Sequence, residues 1–345
     1  MKILHISESF EGGVAAAVAN YVSLTNEHEH FLLCSTRSGR IGSGILQKFS
    51  TVYDLTNGHF SAIKTVQSMV DKVKPDVIHC HSSFGGAYGR LAYFWRKCPA
   101  LVIYSPHCYA FERRDISWFA RSLFYIMEWV MAKKTDVVVA CSPREKRLAK
   151  KLRKKTRTIF VPNLASVDSD TSLPFGKRKN VVAMMGRLSP QKDPEWFAGI
   201  AKRMGDSTKF VWVGDGEEKY RKALEASGVE VTGWVKAEEV VKILSTAKIY
   251  LHTAEWEGFP VALLDARQCG VAIVAREAAY LEGMSEARPV EGIANAAREI
   301  ETLSENVAEW QKNRSRWEKV LEKNTPSVAK ERLATAYGCV AKKVA

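Results

Sequence analysis

Long apolar runs are missing from this 345-residue sequence. No stretch reaches the roughly 18 uninterrupted apolar residues of a membrane-spanning helix, and the nearest candidate, Trp118 to Ala132, is broken by Arg121 and Glu128. Cysteine is sparse and without pattern. The seven cysteines (34, 80, 98, 108, 141, 269 and 339) are odd in number and never spaced C-x-x-C, which argues against a disulfide framework and points to a reducing cytosol. The opening Met1-Lys-Ile-Leu-His-Ile-Ser has too short an apolar run for a signal peptide and reads as a strand, so a cytoplasmic protein is expected. Low-complexity tracts and fixed-period repeats are also lacking, which sets aside disorder and solenoids. Neither half carries G-x-G-x-x-G followed by an acid at the ribose distance, which counts against a dehydrogenase. No Asp-x-Asp pair follows a strand to hold a nucleotide-bound divalent cation. His79-Cys80-His81 invites a zinc reading, but strand alternation sends the two histidines one way and Cys80 the other, so no tetrahedral ligand set is expected. The expectation is therefore no metal and no cofactor.

What the sequence does have is alternation of short β-branched runs with helical patterns. Lys2 to Ile6, Phe31 to Cys34, Val77 to His79, Leu101 to Ser105, Val137 to Cys141 and Thr158 to Val161 read as strands of one parallel α/β unit. After the polar stretch Ser166 to Asn180 the alternation restarts with Val181 to Met185, Phe210 to Val213, Val229 to Thr232, Ile249 to His252 and Ala272 to Val274. The chain exceeds the size at which one core keeps growing. Two Rossmann-like domains joined by a linker follow, with a helical tail whose last helix begins after Pro326 and crosses back to the first domain.

Charge is the second positive feature. The net charge is +13, and Arg144, Lys146, Arg147, Lys150, Lys151, Arg153, Lys154, Lys155 and Arg157 crowd one segment relieved only by Glu145. Such a cluster attracts polyanions. Two readings stay open: a solvated helix face, or contact of segment 144–157 with an anionic membrane surface beside the aromatic-rich Trp118 to Trp129. No nucleic-acid motif accompanies the charge, so no nucleic-acid partner is expected.

In a doubly wound sheet, ligands sit beyond the carboxyl ends of the strands, and four segments there carry chemistry. Glu11-Gly12-Gly13-Val14 precedes a helix and lets bare amides approach a phosphate, although an ordinary tight turn has the same appearance. Met185-Gly-Arg-Leu-Ser-Pro-Gln-Lys-Asp193 places Arg187 and Lys192 where a guanidinium fork and an ammonium can converge on a diphosphate and replace a divalent cation. In Glu255-Trp-Glu-Gly-Phe-Pro-Val-Ala-Leu-Leu-Asp265, Glu257 precedes a helix and Asp265 lies about two turns within it, with the Gly258 and Phe259 amides between. His107, in Ser105-Pro-His-Cys-Tyr109, follows a strand where it can meet a sugar hydroxyl or stay structural.

Taken in order, Gly-Gly near the start, His107, Gly186-Arg-Leu-x-x-x-Lys192, Val213-Gly-Asp-Gly216 and Glu257-Gly-Phe-Pro with a second acid resemble retaining glycosyltransferases of the GT-B fold, family 4. The resemblance spans nearly the whole chain and is strongest from Met185 to Ile273. It implies an α/β protein of two Rossmann-like domains facing across a cleft. Residues 1–165, with the C-terminal helix 327–345, would bind the acceptor; residues 178–325 would bind a nucleotide-sugar donor. It further implies that Arg187 and Lys192 grip the donor diphosphate and that Gly13 closes on it. Glu257 would hold sugar hydroxyls, Asp265 the ribose, and His107 the sugar near the reacting centre; Gly12, Gly186, Gly214, Gly258, Phe259 and Pro260 complete the binding set. Asp265 stands where the family usually has glutamate. The implied activity is transfer of a hexose-type sugar from a UDP- or GDP-sugar to a glycan or lipid-linked acceptor, with retention, in capsule or O-antigen assembly at the inner face of the cell membrane. A nucleotide-sugar epimerase and a non-catalytic partner subunit of another transferase are the alternatives.

Overall fold

The computed structural model describes residues 1–35, 43–168 and 172–339; the remaining part of the expected C-terminal helix, 340–345, and residues 169–171 of the expected linker lie outside these. The chain forms two compact units, Met1–Leu164 with Asn324–Ala345, and Ala165–Lys323.

The first unit runs β1 (Lys2–Ser9), α1 (Gly12–Leu24), β2 (Glu29–Ser35), α2 (Ser43–Leu46), β3 (Thr51–Asp54), α3 (His59–Val73), β4 (Val77–His81), α4 (Ser82–Leu91), β5 (Leu101–Ser105), α5 (Trp118–Met131), β6 (Val137–Ala140), α6 (Pro143–Leu152) and β7 (Arg157–Phe160). Its seven strands are parallel in the order β3-β2-β1-β4-β5-β6-β7. Helices cover both faces, so β4, β5 and β6 are buried along their whole length, as continuous apolar runs in parallel sheets are. The strand β3 and helix α3 were not legible in the sequence. The strand has four residues, sits at the sheet edge and has two exposed and two half-buried positions.

The second unit runs β8 (Lys179–Met185), α7 (Pro194–Met204), β9 (Lys209–Val213), α8 (Glu218–Glu225), β10 (Glu230–Val231), α9 (Ala237–Thr246), β11 (Ala247–His252), α10 (Val261–Gln268), β12 (Ala272–Ala275), α11 (Gly292–Glu305) and α12 (Val307–Val320). Its sheet is again parallel, in the order β10-β9-β8-β11-β12. The edge strand β12 is covered by α12: Asn313 accepts from the Ile273 amide at 2.9 Å, and Trp317 donates to the Ile273 carbonyl at 2.9 Å. Such cover blunts an exposed strand edge. The stretch expected to be a linker ends in Arg178, which is buried and donates to the Leu173, Ala247 and Cys269 carbonyls.

Three helix starts follow one local rule. Ser142-Pro143, Asp193-Pro194 and Thr325-Pro326 each place a side-chain acceptor at the N-cap and proline in the first turn, the arrangement that satisfies an orphan amide and pre-sets φ. The last of these opens α13 (Pro326–Tyr337), which belongs to the first unit. There Ala329, Leu333, Ala336 and Tyr337 are fully buried against Ile103, Val137 and Val139, and the Tyr337 hydroxyl meets His79 Nδ1 at 3.0 Å.

Strand order reverses direction at β1/β4 in the first unit and at β8/β11 in the second. These switch points are where open α/β sheets bind ligands; Gly12 and Gly13 follow β1, Arg187 and Lys192 follow β8 and Glu257 follows β11, while His107 and Gly214 follow the next strands out, β5 and β9.

Candidate active site

In the second unit the loops after β8, β9 and β11 are drawn together by two glycines. A Cβ on Gly214, at φ +138°, would sit 2.2 Å from the Gly186 carbonyl oxygen, so only glycine allows this approach. Gly186, at φ +150°, lets the Lys192 stem lie over it; a Cβ there would come within 3.0 Å of Lys192 Cε. The Lys192 ammonium is ion-paired with the Glu257 carboxylate, both partly buried. Backbone ties fix the pair: the Glu255 amide donates to the Gln191 carbonyl at 2.9 Å, and Gln191 Nε2 to the Trp256 carbonyl at 2.8 Å. Arg187 is exposed and makes no ion pair among the described residues. Gly258, Phe259 and Pro260 are buried and lead into α10, with Pro260 at the N-cap.

Two second-unit residues behave differently from the sequence reading. Asp265 is buried, and its Oδ1 accepts from the Ser166 amide at 2.6 Å and the Val167 amide at 3.2 Å, while Oδ2 accepts from the Ser166 hydroxyl at 2.8 Å. Burial raises its pKa to about 6 against the pull of those donors. The carboxylate thus anchors the start of its own unit. Arg276, which no sequence argument singled out, is ion-paired with Asp193 and donates to Glu255 at 3.1 Å. It braces the N-cap of α7 against the loop carrying Glu257. Only strand register could have revealed this, because its partners lie 83 and 21 residues upstream.

In the first unit Gly12 (φ +53°) and Gly13 open α1 and are exposed, and the N-cap Glu11 makes no side-chain cap. The loop after β5 is strained: His107 and Cys108 adopt φ values of 53° and 104°, a region that non-glycine residues rarely occupy. Glu145 holds it. Its Oε1 accepts from the Cys108 amide at 2.9 Å and its Oε2 from the Cys141 amide at 2.8 Å, while its own amide donates to Ser142 Oγ at 3.1 Å. The sequence reading took Glu145 for a lone acid in a basic run. The signal was nevertheless present as Ser142-x-x-Glu145, a capping box, here redirected to the histidine loop. Burial lifts the Glu145 pKa to about 6 and lowers that of His107 to about 4.

Beside Gly12, at the ends of β1 and β3, opens a cavity of about 420 Å³ lined by Glu8, Glu11, Asn57, His59 and Tyr88 among others. Its carboxylates, amide and hydroxyl suit a ligand rich in hydroxyl groups. Sequence reasoning missed it because β3 was missed. His5, on β1, joins His79 and His81 to bring three buried imidazoles within 4.8 Å of one another, which strand alternation within β4 alone could not show. All six ring nitrogens of the three have hydrogen-bond partners within the protein.

On the outside of the first unit, α5 turns its large side chains to solvent: Trp118 is 77% exposed, Phe119 67%, Ile126 55% and Trp129 49%. The residues it buries are Met131 and Glu128. Glu128 forks onto Arg90 at 2.8 and 3.0 Å and accepts from the Tyr104 hydroxyl at 3.0 Å. In α6, on the same apolar cluster, Arg144 pairs with Glu112 at 2.6 Å, while Lys146, Lys150 and Lys151, with Lys154 and Lys155 just after the helix, are exposed. No described helix is long and apolar enough to cross a membrane.

Comparison with known proteins places this geometry. The family described as glycosyl transferases group 1 matches residues 166–327, and the one described as glycosyltransferase family 4 matches residues 12–168. A protein from Klebsiella pneumoniae, described as an uncharacterised 41.2 kDa protein in the cps region, is 27% identical over 81% of this chain and 82% of its own length. A UDP-Gal:alpha-D-GlcNAc-diphosphoundecaprenol alpha-1,3-galactosyltransferase from Escherichia coli is 29% identical over 62% of each. Among solved structures, a sucrose-phosphate synthase from Thermosynechococcus elongatus superposes with a TM-score of 0.78 at 14% identity, covering 100% of this chain and 99% of the other.

Proposed function

This chain belongs to the glycosyltransferases of the GT-B fold and family 4 type, and from that premise we propose that it moves a hexose-type sugar from a UDP- or GDP-sugar to a lipid-linked or glycan acceptor, with retention and without a metal. The observation that carries the reading is the Lys192–Glu257 pair at the second unit's switch point. A cation and an acid held side by side, with the exposed Arg187 guanidinium in the same loop, match a ligand that has a diphosphate next to a hydroxyl-bearing ring.

The donor diphosphate takes Lys192 and Arg187, and Glu257, released from its lysine, accepts hydroxyls of the sugar beside the Gly258 and Phe259 amides. The bond from the anomeric carbon to the β-phosphate oxygen breaks, and the acceptor oxygen bonds to that carbon on the same face. The acceptor's proton passes to the departing phosphate, so the protein supplies orientation and charge stabilisation rather than a nucleophile.

The acceptor belongs to the cavity lined by Glu8, Glu11 and Asn57. The exposed aromatic face of α5 and the lysines of segment 144–157 dock the first unit on an anionic leaflet, where a lipid-linked acceptor resides. Peripheral attachment at the inner face of the cell membrane, in surface-polysaccharide assembly, follows from an acceptor such as the one named in the Escherichia coli relative. A panel of nucleotide-sugars, read by mass spectrometry of the released nucleotide with and without lipid-linked acceptor, tests the assignment. Transfer only with acceptor supports it; a new epimer formed from the donor alone would select an epimerase instead.

A further inference from the structure

The adjacent strands β1, β2 and β4 carry histidines that the proposed chemistry leaves unused. Register pairs His5 with His79 and Ser7 with His81 across β1 and β4, and Ile3 with His30 across β1 and β2. Four of the imidazoles join end to end: His30 Nδ1 lies 3.0 Å from His5 Nε2, His5 Nδ1 lies 3.0 Å from His81 Nε2, and His81 Nδ1 lies 3.1 Å from His107 Nε2. His79 stands beside the chain without entering it, with its nitrogens on Tyr337 and Ser105.

The far end decides the direction of every bond. His30 Nε2 lies 2.9 Å from the Thr25 carbonyl oxygen, which can only accept, so that nitrogen carries the proton. The Thr25 hydroxyl also lies 3.2 Å from His30 Nε2, but it gives its own proton to the Tyr21 carbonyl at 2.7 Å and so faces that nitrogen as a second acceptor. Burial keeps the four rings neutral, each below its usual range, so each has one proton to place. His30 Nδ1 must then accept from His5 Nε2–H, His5 Nδ1 from His81 Nε2–H, and His81 Nδ1 from His107 Nε2–H.

We propose that His30, His5 and His81 act as positioning residues that lock His107 with its proton on Nε2 and a bare lone pair on Nδ1, so that His107 recognises its ligand only as an acceptor from a hydroxyl. Phosphate oxygens and carboxylates, which offer no proton, are not its partners. The inference rests on His107 facing the sugar, as read above, but the tautomer itself can be measured without substrate.

The test is a long-range ¹H–¹⁵N correlation on the full chain labelled with ¹⁵N-histidine at pH 7, with resonances assigned by single substitutions. The wild-type protein should show His5, His30, His81 and His107 each as a single neutral Nε2–H form. His30→Phe, which removes the anchor, should bring a visible Nδ1–H population at His107, and His30→Asn, whose side-chain oxygen can still accept from His5, should restore the wild-type pattern. A protonated His107, a proton on its Nδ1 in the wild-type protein, or a tautomer indifferent to both substitutions overturns the proposal. Should His30→Phe not fold, the wild-type and His30→Asn spectra decide. Transfer activity does not enter this readout, so failure of the glycosyltransfer reading would leave the tautomer result standing, and the reverse.

Discussion

Lys192 and Glu257, 65 residues apart in sequence, meet as an ion pair across the loops that follow β8 and β11. In the free protein each neutralises the other; with donor bound, each would have a better partner in the diphosphate and the sugar hydroxyls. Glu257→Ala should therefore lower kcat/KM by roughly 10²-fold or more, as loss of one preorganised transition-state contact does, while leaving affinity for UDP or GDP alone intact or improved. Steady-state kinetics together with calorimetry would show the split. Near-normal turnover would remove Glu257 from the site.

Glu145 should matter for a reason unrelated to surface charge. Truncation in Glu145→Ala leaves the Cys108 and Cys141 amides without an acceptor, at about 1–3 kcal/mol for each buried donor, and frees the strained turn at His107. The expected outcome is a lower thermal midpoint together with reduced turnover. Lys146→Ala, on the same helix but exposed, should stay within about 0.5 kcal/mol of wild type.

Acid should weaken the first unit selectively. Burial lowers the pKa of His5, His30, His79, His81 and His107, so below the ordinary histidine value the unfolded chain binds more protons than the native one, and stability falls with pH. The window runs from about 6.5, the unfolded value, down to about 4, where His107 itself titrates. Glu145, raised to about 6, acts in the opposite direction and gains stability on acidification; five histidines against one carboxylate decide the sign, whereas in the second unit the single lowered His252 is set against Asp265, raised to about 6. Hydrogen exchange followed by peptide should show protection of β1 and β4 dropping between pH 6.5 and 5 before that of β8 and β11. Simultaneous loss in both sheets would contradict this.

The exposed face of α5 makes a separable claim. Trp118→Glu with Phe119→Glu should abolish co-sedimentation with vesicles rich in anionic lipid while changing the thermal midpoint little, because both side chains already face water. Equal binding of the wild-type protein to neutral and anionic vesicles would remove the electrostatic part, which is assigned to the lysines of α6.

The sequence made the two-sheet α/β plan legible because parallel strands buried on both faces leave β-branched runs that stand out, as at Val137–Ala140. It also made Gly186, Arg187, Lys192 and Glu257 legible, since each follows a strand within a short motif. Three things escaped for physical reasons. The edge strand β3 is short and half-exposed, so it has no apolar run, and the cavity beside it vanished with it. Arg276 and the histidine chain depend on which strands lie adjacent, and strand order is not local information. The Asp265 contacts with Ser166 and Val167 could not be read locally either, because those residues lie close to 100 positions away.

The most direct measurement is nucleotide release from the matching UDP- or GDP-sugar by wild-type, Arg187→Ala and Lys192→Ala proteins in EDTA. If the two cations replace a metal at the leaving diphosphate, wild-type activity is undiminished by EDTA and each substitution lowers it by roughly 10²-fold or more. Activity abolished by EDTA and restored by Mg²⁺, or retained in both variants, would contradict the account.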